Sequence, residues 1–344
     1  MIKTELRQQA DRLKDLCERY DEILILGHKD ADGDTLGCSL AFAEALETLG
    51  KTVHVVIPPA LPQKYAWMPG FDRIRPAPPA GAEVRLVLFF DAGNMERSGD
   101  AIDHVTERAT IVNVDHHASN SRFGDVNIID PDASAVGQMC LEMLEQFGWR
   151  VTPTMATNLY TALLTDTGGF RHENTTPAAL RDAARLAALG ADPSYVATMV
   201  YKSRPPTTLR LCGLALAGIQ IEMDGRLAWA RVTRKMLHEA GAVMAEAEEI
   251  IDNVNSIAGL EVAVVFKEIN ARLTKISVRS RGEVDAAWLC ERFSGGGHPR
   301  AAGAEIGQPL ERAVPMVLAA VRQAIETAGA GSLDRGGERC VRES

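Results

Sequence analysis

The chain has 344 residues, 46% hydrophobic and 24% charged, which is material for two ordinary globular cores rather than one. A net charge of −9 argues against a protein that grips long nucleic acid by its backbone, yet is compatible with a short anionic substrate held by metals and a few local cations. No apolar run of about 18 residues is present, so no membrane span is expected. Six scattered cysteines (Cys17, Cys38, Cys140, Cys212, Cys290, Cys340) with no C-x-x-C pair point to reduced thiols, a cytoplasmic location and no zinc-thiolate site.

The N-terminal twenty residues read as a charged amphipathic helix, not a secretory signal. Residues 22–27 (EILILG) read as a buried strand, and Thr35–Leu49 as an apolar-periodic helix stopped at Gly50. Val53–Ile57 is a second strand, 58–80 a Pro-rich loop with a short element near Tyr65–Met68, Glu83–Phe90 a third strand and Thr110–Val114 a fourth. Asn127–Ile129 is a short fifth strand, and Ala135–Phe147, Thr154–Leu164 and 177–201 are helical. Strands alternating with helices imply an α/β domain with a doubly wound, mainly parallel sheet. After Lys202–Thr208 the texture changes. Leu227–Thr233, Leu260–Glu268 and Arg272–Ser280 read as strands of a smaller mixed sheet, Asp285–Phe293 and Val314–Ala328 as helices, and Ser294–His298 as a Gly-rich turn. The expected division is a catalytic domain over 1–190, a linker over 191–212, a substrate domain over 213–328 and a disordered tail over 329–344.

Three predicted strands end in metal-capable clusters: His28-Lys-Asp-Ala-Asp32-Gly-Asp34, Asp91, and Asp115-His116-His117. Ligands of open parallel sheets collect beyond the carboxyl ends of the strands, so these clusters are expected in one crevice. Asp166, in Leu-Thr-Asp-Thr-Gly-Gly, is a further contributor. Carboxylates and imidazoles without thiolate suit Mn²⁺ or Mg²⁺. Acids crowded together resist ionisation; two cations about 3.5–4 Å apart would relieve that and clamp an in-line displacement at phosphorus. A single Asp after a strand is ordinarily a turn residue or helix cap, and Asp32-Gly-Asp34 by itself resembles a calcium-loop fragment, although no glutamate stands at EF-hand spacing. Three clusters at three strand ends favour a metal centre.

In the second half, Gly295, Gly296 and Gly297 before His298 could expose consecutive backbone N–H groups to an anionic oxygen. Arg279 precedes them on a predicted strand and Arg300 follows, and arginine forks match phosphate. Arg97 and Arg171 follow ligand segments; phosphate contact and a surface salt bridge account for them equally well.

Asp115-His116-His117, with His28-x-x-x-Asp32-x-Asp34 upstream, resembles the DHH phosphoesterase superfamily. Phe293-Ser-Gly-Gly-Gly-His298-Pro-Arg-Ala-Ala-Gly303 resembles the DHHA1 substrate domain. Together they span about residues 5–325, and their order resembles the stand-alone nanoRNase and pAp phosphatase group. Ala31 and Cys38 depart from the residues common at those positions (Pro and Ser) without removing a ligand. The resemblance implies that His28 and Asp32 hold one metal, that Asp34, His116 and Asp166 hold a second, and that Asp91 bridges both. It implies that His117 faces the substrate phosphate, that Asp115 orients the histidines, and that Arg279 and His298 grip a terminal phosphate. Two divalent ions, Mn²⁺ with Mg²⁺ or Co²⁺ as alternatives, are the implied cofactors. The implied activity is Mn²⁺-dependent hydrolysis of short oligoribonucleotides to mononucleotides and dephosphorylation of pAp. A cyclic-di-AMP or pApA phosphodiesterase is the alternative, ahead of an inorganic pyrophosphatase or a catalytically silent nucleotide sensor. Expected partners are short oligoribonucleotides, pAp and linear or cyclic dinucleotides, with no long nucleic acid and no membrane; a homodimer is allowed.

Overall fold

A computed structural model describes residues 4–335 apart from Asp30, Ala60 and Glu83. The chain divides into two compact units, Met1–Ser203 and Arg204–Ser344.

The first unit runs α1 (Thr4–Arg19), β1 (Glu22–Leu26), α2 (Gly33–Thr48), β2 (Thr52–Val56), β3 (Leu86–Phe90), β4 (Thr110–Asp115), β5 (Val126–Ile129), α3 (Val136–Phe147), α4 (Pro153–Asp166), α5 (Pro177–Ala188) and α6 (Pro193–Tyr201). Its five strands are all parallel, in the order β2-β1-β3-β4-β5. The apolar runs of β1 and β3 follow from burial on both faces. Ile23, Ile25, Leu86, Leu88 and Phe90 join the helices in one core, while Leu24, Leu26, Val87 and Phe89 meet a 3₁₀ segment, Met95–His104, on the other. Helix starts follow the capping rule: Asp32 caps α2, and Thr152, Thr176 and Asp192 each cap a helix that opens with proline. That chemistry breaks the expected helical run 177–201 into α5 and α6. The sheet order reverses between β1 and β3, so the crevice at their carboxyl ends is the predicted ligand position.

The second unit runs α7 (Pro206–Ala217), β6 (Gln220–Glu222), β7 (Leu227–Val232), α8 (Arg234–Ala240), α9 (Ile250–Asn255), β8 (Val262–Asn270), β9 (Leu273–Ser280), α10 (Ala286–Glu291), β10 (Gly296–His298), β11 (Ala301–Ile306) and α11 (Leu310–Arg335). Its six-stranded sheet, β10-β11-β9-β8-β7-β6, is mixed; β7 and β8 are parallel and the other pairs antiparallel. Helices α10 and α11 pack on one face, α7 to α9 on the other.

Further expectations are corrected. The Gly-rich segment Gly295, Gly296, Gly297 and His298 is not a turn: Gly296–His298 is an edge strand whose two-residue connection, Pro299-Arg300, leads into β11. Helix α11 continues to Arg335, so 329–335 are helical and the expected tail is reduced to 336–344, which lie outside the described residues together with Cys340. Asp166 is the last residue of α4 rather than a residue beyond it. The third strand starts at Leu86, and Glu83 is outside the described residues. The five described cysteines are free thiols, four of them buried.

Candidate metal centre

The carboxyl ends of β1, β3 and β4 deliver His28, Asp91 and Asp115-His116-His117, and the start of α2 delivers Asp32 and Asp34. The end of α4 arrives because α2 and α4 pack almost backbone to backbone. A Cβ on Gly37 would lie 2.4 Å from the carbonyl oxygen of Asn158, and one on Gly33 would lie 2.4 Å from Thr165 Oγ1. Any larger residue at either position would drive Asp166 away from Asp34.

Asp91 is the centre of the cluster. It is 3% exposed, and its φ of +58° is left-handed, a conformation that costs a non-glycine residue about 1–2 kcal/mol. The Asp91 N–H still donates to the Val114 carbonyl at 3.0 Å, so sheet pairing holds the backbone in that position. Strain of this kind gathers at functional sites. Its Oδ2 lies 3.4 Å from His28 Nε2; its Oδ1 lies 3.9 Å from His116 Nε2 and 3.6 Å from His117 Nδ1. Asp166 Oδ2 is 3.6 Å from His116 Nε2.

Asp34 has no exposed surface, and its carboxylate accepts from the first two N–H groups of α3, Val136 at 2.7 Å and Gly137 at 2.8 Å. The Cys38 thiol donates to the same carboxylate at 3.3 Å. Asp32 is exposed and caps α2 through Oδ1, accepting from Asp34 N at 2.9 Å and Thr35 N at 3.1 Å.

The imidazoles are oriented through their far nitrogens. His28 Nδ1–H donates to the Lys29 carbonyl and His116 Nδ1–H to the Ala133 carbonyl at 3.1 Å, which leaves each Nε2 facing the acids. Asp115 accepts from His117 Nδ1 at 2.7 Å and from the His116 backbone N–H at 2.8 Å. Asn120 donates to Asp115 Oδ2 at 2.6 Å and to the Ala92 carbonyl, which Asn113 also binds. This amide support, from buried Asn113 and half-buried Asn120, had one signal in the sequence, two asparagines flanking the Asp-His-His run.

The cluster is electrostatically strained on its own. Burial first, then the charge of Asp91, pushes Asp34 up to about 7. Burial and the neighbouring acids push Asp166 well above the usual carboxylate range, although His116 pulls it down. Burial opposes the charged form of His116, but Asp166, Asp34 and Asp91 raise it to about 9. Burial likewise opposes the His28 cation, which Asp91 nevertheless favours. Asp91 itself is held far below its ordinary value against the effect of burial, by the His28 hydrogen bond and the surrounding imidazoles.

The donor set fits divalent ions. One atom each from His28, Asp32 and Asp91, and one each from Asp34, Asp91 and His116, gather within 4.8 Å, and the two groups share Asp91. All donors are oxygen or imidazole nitrogen, the choice of Mn²⁺- and Mg²⁺-type sites. Asp91, Asp115 and His117 also gather within that distance, but the proton between His117 Nδ1 and Asp115 fills the space an ion would need.

Other predicted residues are placed as follows. Arg97 Nη2 stands 3.5 Å from His28 Nδ1, at the edge of the cluster. The Nε of Arg171 donates to the Gly168 carbonyl at 2.6 Å, and its guanidinium lies over the Tyr201 ring. In the second unit the register His298↔Ala301↔Arg279 puts His298 and Arg279 on one face of the sheet, two strand spacings or about 10 Å apart. Arg279 Nε lies 3.3 Å from Asp252 Oδ1. Gly295 and Gly297 allow β10 to lie against β11, since a Cβ would fall 2.2 Å from the Gly303 oxygen or 2.5 Å from the Ala301 oxygen. Arg300 donates to the Gly282 and Val284 carbonyls, which ties the hairpin to the preceding loop.

An acid-and-imidazole cluster that could hold metal ions stands at the switch point of a parallel sheet, and a mixed α/β unit follows it. The family model described as "DHH family, N-terminal domain" matches residues 22–165, and the "DHHA1 domain" model matches 225–327. The chain belongs to the DHH/DHHA1 phosphoesterase family, and its homologues imply a hydrolase. It is 34% identical over 313 residues to the bifunctional oligoribonuclease and PAP phosphatase NrnA of Thermus thermophilus, covering 89% of this chain and 91% of that protein. It is 26% identical to the protein of the same name from Bacillus subtilis, over 83% of this chain and 90% of that one. The cyclic-di-AMP phosphodiesterase PdeA of Listeria monocytogenes is 24% identical over 86% of this chain, which spans 46% of that longer protein. The crystal structure of an exopolyphosphatase-related protein from Bacteroides fragilis shares the fold, with a TM-score of 0.84 over 93% of this chain and 96% of that one at 24% identity. No helix among the described residues is long and apolar enough to cross a membrane.

Proposed function

We propose that the protein is a Mn²⁺-dependent phosphoesterase that cuts short oligoribonucleotides to mononucleotides and removes a phosphate from pAp. The observation that carries this reading is the pair of donor groups meeting on Asp91, in a chain alike along nearly its whole length to the Thermus enzyme. His28, Asp32 and Asp91 would hold one ion, and Asp34, Asp91 and His116, with Asp166, the other. When bound, the ions supply positive charge against the phosphoryl group and lower the pKa of water. The protein supplies orientation and proton control. His117, fixed through Nδ1 by Asp115, turns that ring edge to the acids and would meet the substrate phosphate. A ring so held can hydrogen-bond the phosphate or pass a proton to the leaving oxygen, with Asp115 keeping its orientation. Arg279 and His298, on one face of the second sheet, would bind the terminal phosphate. The net charge of −9 suits substrates too short to need a basic track.

A cyclic-di-AMP or pApA phosphodiesterase is the second reading, favoured by the similarity to PdeA. Turnover of pApA, pAp, cyclic di-AMP and pyrophosphate with Mn²⁺ tests both. Release of AMP from pApA and of phosphate from pAp is expected, with Asp91→Ala inactive on each. Cyclic di-AMP as the sole good substrate would select the second reading. Rapid pyrophosphate cleavage without action on pApA, or no hydrolysis at all, would reject both.

A further inference from the structure

Nothing intrinsic to an aspartate fixes its carboxylate plane, because the terminal torsion is broad and roughly two-fold. In this chain the plane of Asp91 matters, since Oδ2 faces His28 and Oδ1 faces His116 and His117. Among the described residues, the hydroxyl bonded to it is that of Thr35, in the first turn of α2. Thr35 is fully buried and its Oγ1 donates to Asp91 Oδ2 at 2.7 Å, with Asp32 Oδ1 as a longer second acceptor at 3.4 Å.

The threonine is itself aimed. Its N–H donates to Asp32 Oδ1, which anchors the backbone at the helix cap. Its methyl lies where a Cβ on Gly27 would come within 3.0 Å, so the glycine leaves the space that the methyl occupies. A β-branched residue has few χ1 choices, and with the methyl seated the hydroxyl has one direction left. The Asp91 N–H bond to Val114 fixes the backbone of Asp91 but not its carboxylate.

We infer that Thr35 is a positioning residue for the metal centre: its hydroxyl sets which oxygen of Asp91 is presented to each donor group. This rests on the two-ion reading above and goes beyond it, because Thr35 reaches the ions through the carboxylates it bonds, chiefly Asp91 and at longer range Asp32. A hydrogen-bond partner of a metal-ligating carboxylate commonly governs affinity by about 10–100-fold.

The test is Mn²⁺ titration calorimetry on the ion-stripped full-length protein, with electron paramagnetic resonance of the loaded protein. Thr35→Val keeps the shape and removes the hydroxyl, and Thr35→Ser keeps the hydroxyl and removes the methyl. Wild type should take up two Mn²⁺ with a spin-coupled signal. Thr35→Val should weaken uptake at one of the two sites by about 10–100-fold and lose the coupled signal, while Thr35→Ser stays within about threefold of wild type at both, because its donor to Asp91 persists. If Thr35→Val does not fold, Thr35→Ala carries the same expectation. A hydroxyl-free variant that titrates like wild type, or a serine variant as impaired as the valine one, would overturn the role of Thr35. A wild-type protein that takes up fewer than two ions would instead overturn the two-ion reading, and the Thr35 inference with it.

Discussion

Stripping the ions should make the first unit progressively less stable as the pH rises from about 4 to about 9. The sign follows from the groups that hold extra protons in the fold. Burial and the charge of Asp91 raise Asp34 from 3.8 to about 7. A group raised on folding favours the fold fully below its unfolded value, and that contribution is lost as the pH passes through the folded value. Between 3.8 and about 7 the loss amounts to roughly 4 kcal/mol. His116 acts in the same direction over a later window, from 6.5 to about 9, as its own proton leaves. Asp34 and His116 attract each other, so the two losses do not add and the drop across the window is about 4 kcal/mol. Asp91 behaves oppositely: its pKa is depressed, so its contribution is present above the ordinary carboxylate value and lost only in strong acid, outside this window. Bound divalent ions replace the missing protons with charge and should flatten the profile. Scanning calorimetry of the EDTA-treated protein at several pH values, with and without Mn²⁺, reads this directly. For a unit of this size the metal-free transition should fall by roughly 10 °C more than the Mn²⁺-loaded one across the window. A metal-free transition that climbs with pH over that range, or parallel profiles with and without Mn²⁺, would refute the reasoning.

Other expectations concern single contacts. Asp115→Asn removes the carboxylate that fixes His117 and turns an amide toward Asn120; turnover should drop about 10–100-fold with Mn²⁺ stoichiometry intact, and unchanged turnover would show that His117 needs no anchor. Gly297→Ala places a Cβ at a φ of +144°, 2.5 Å from the Ala301 oxygen; displacement of β10 should raise KM for oligonucleotides more than it lowers kcat. Lys267 has no exposed surface and its Nζ lies 2.6 Å from Glu248 Oε2, a half-exposed partner, so Glu248→Ala should destabilise the protein by about 1–3 kcal/mol in urea unfolding, with most of that recovered by adding Lys267→Met.

Much of the first unit was legible because its signals are local. EILIL and LVLFF are apolar runs that only a sheet buried on both faces explains, and the Asp-His-His run at the end of β4 identifies its own chemistry. The second unit was harder to read. Ala-Ala-Gly-Ala-Glu-Ile is poor strand sequence, yet β11 forms because β9 and β10 pair with it on both edges. Pro205-Pro206 looks like a breaker, whereas Pro206 opens α7, the position where a missing N–H does no harm. Within the site, ligand types could be read from residue chemistry. Thr35, Asn113, Asn120 and the Ala133 carbonyl could not, because each matters only through a partner distant in the chain or through a backbone atom that carries no sequence signal.

The central claim is that two divalent ions share Asp91. Anomalous diffraction from a Mn²⁺-soaked crystal, collected on either side of the manganese edge, tests it most directly. Two peaks about 3.5–4 Å apart are expected, one beside His28 and Asp32, the other beside Asp34 and His116, with an Asp91 oxygen between them. A single peak, or two peaks of which neither touches Asp91, would contradict it.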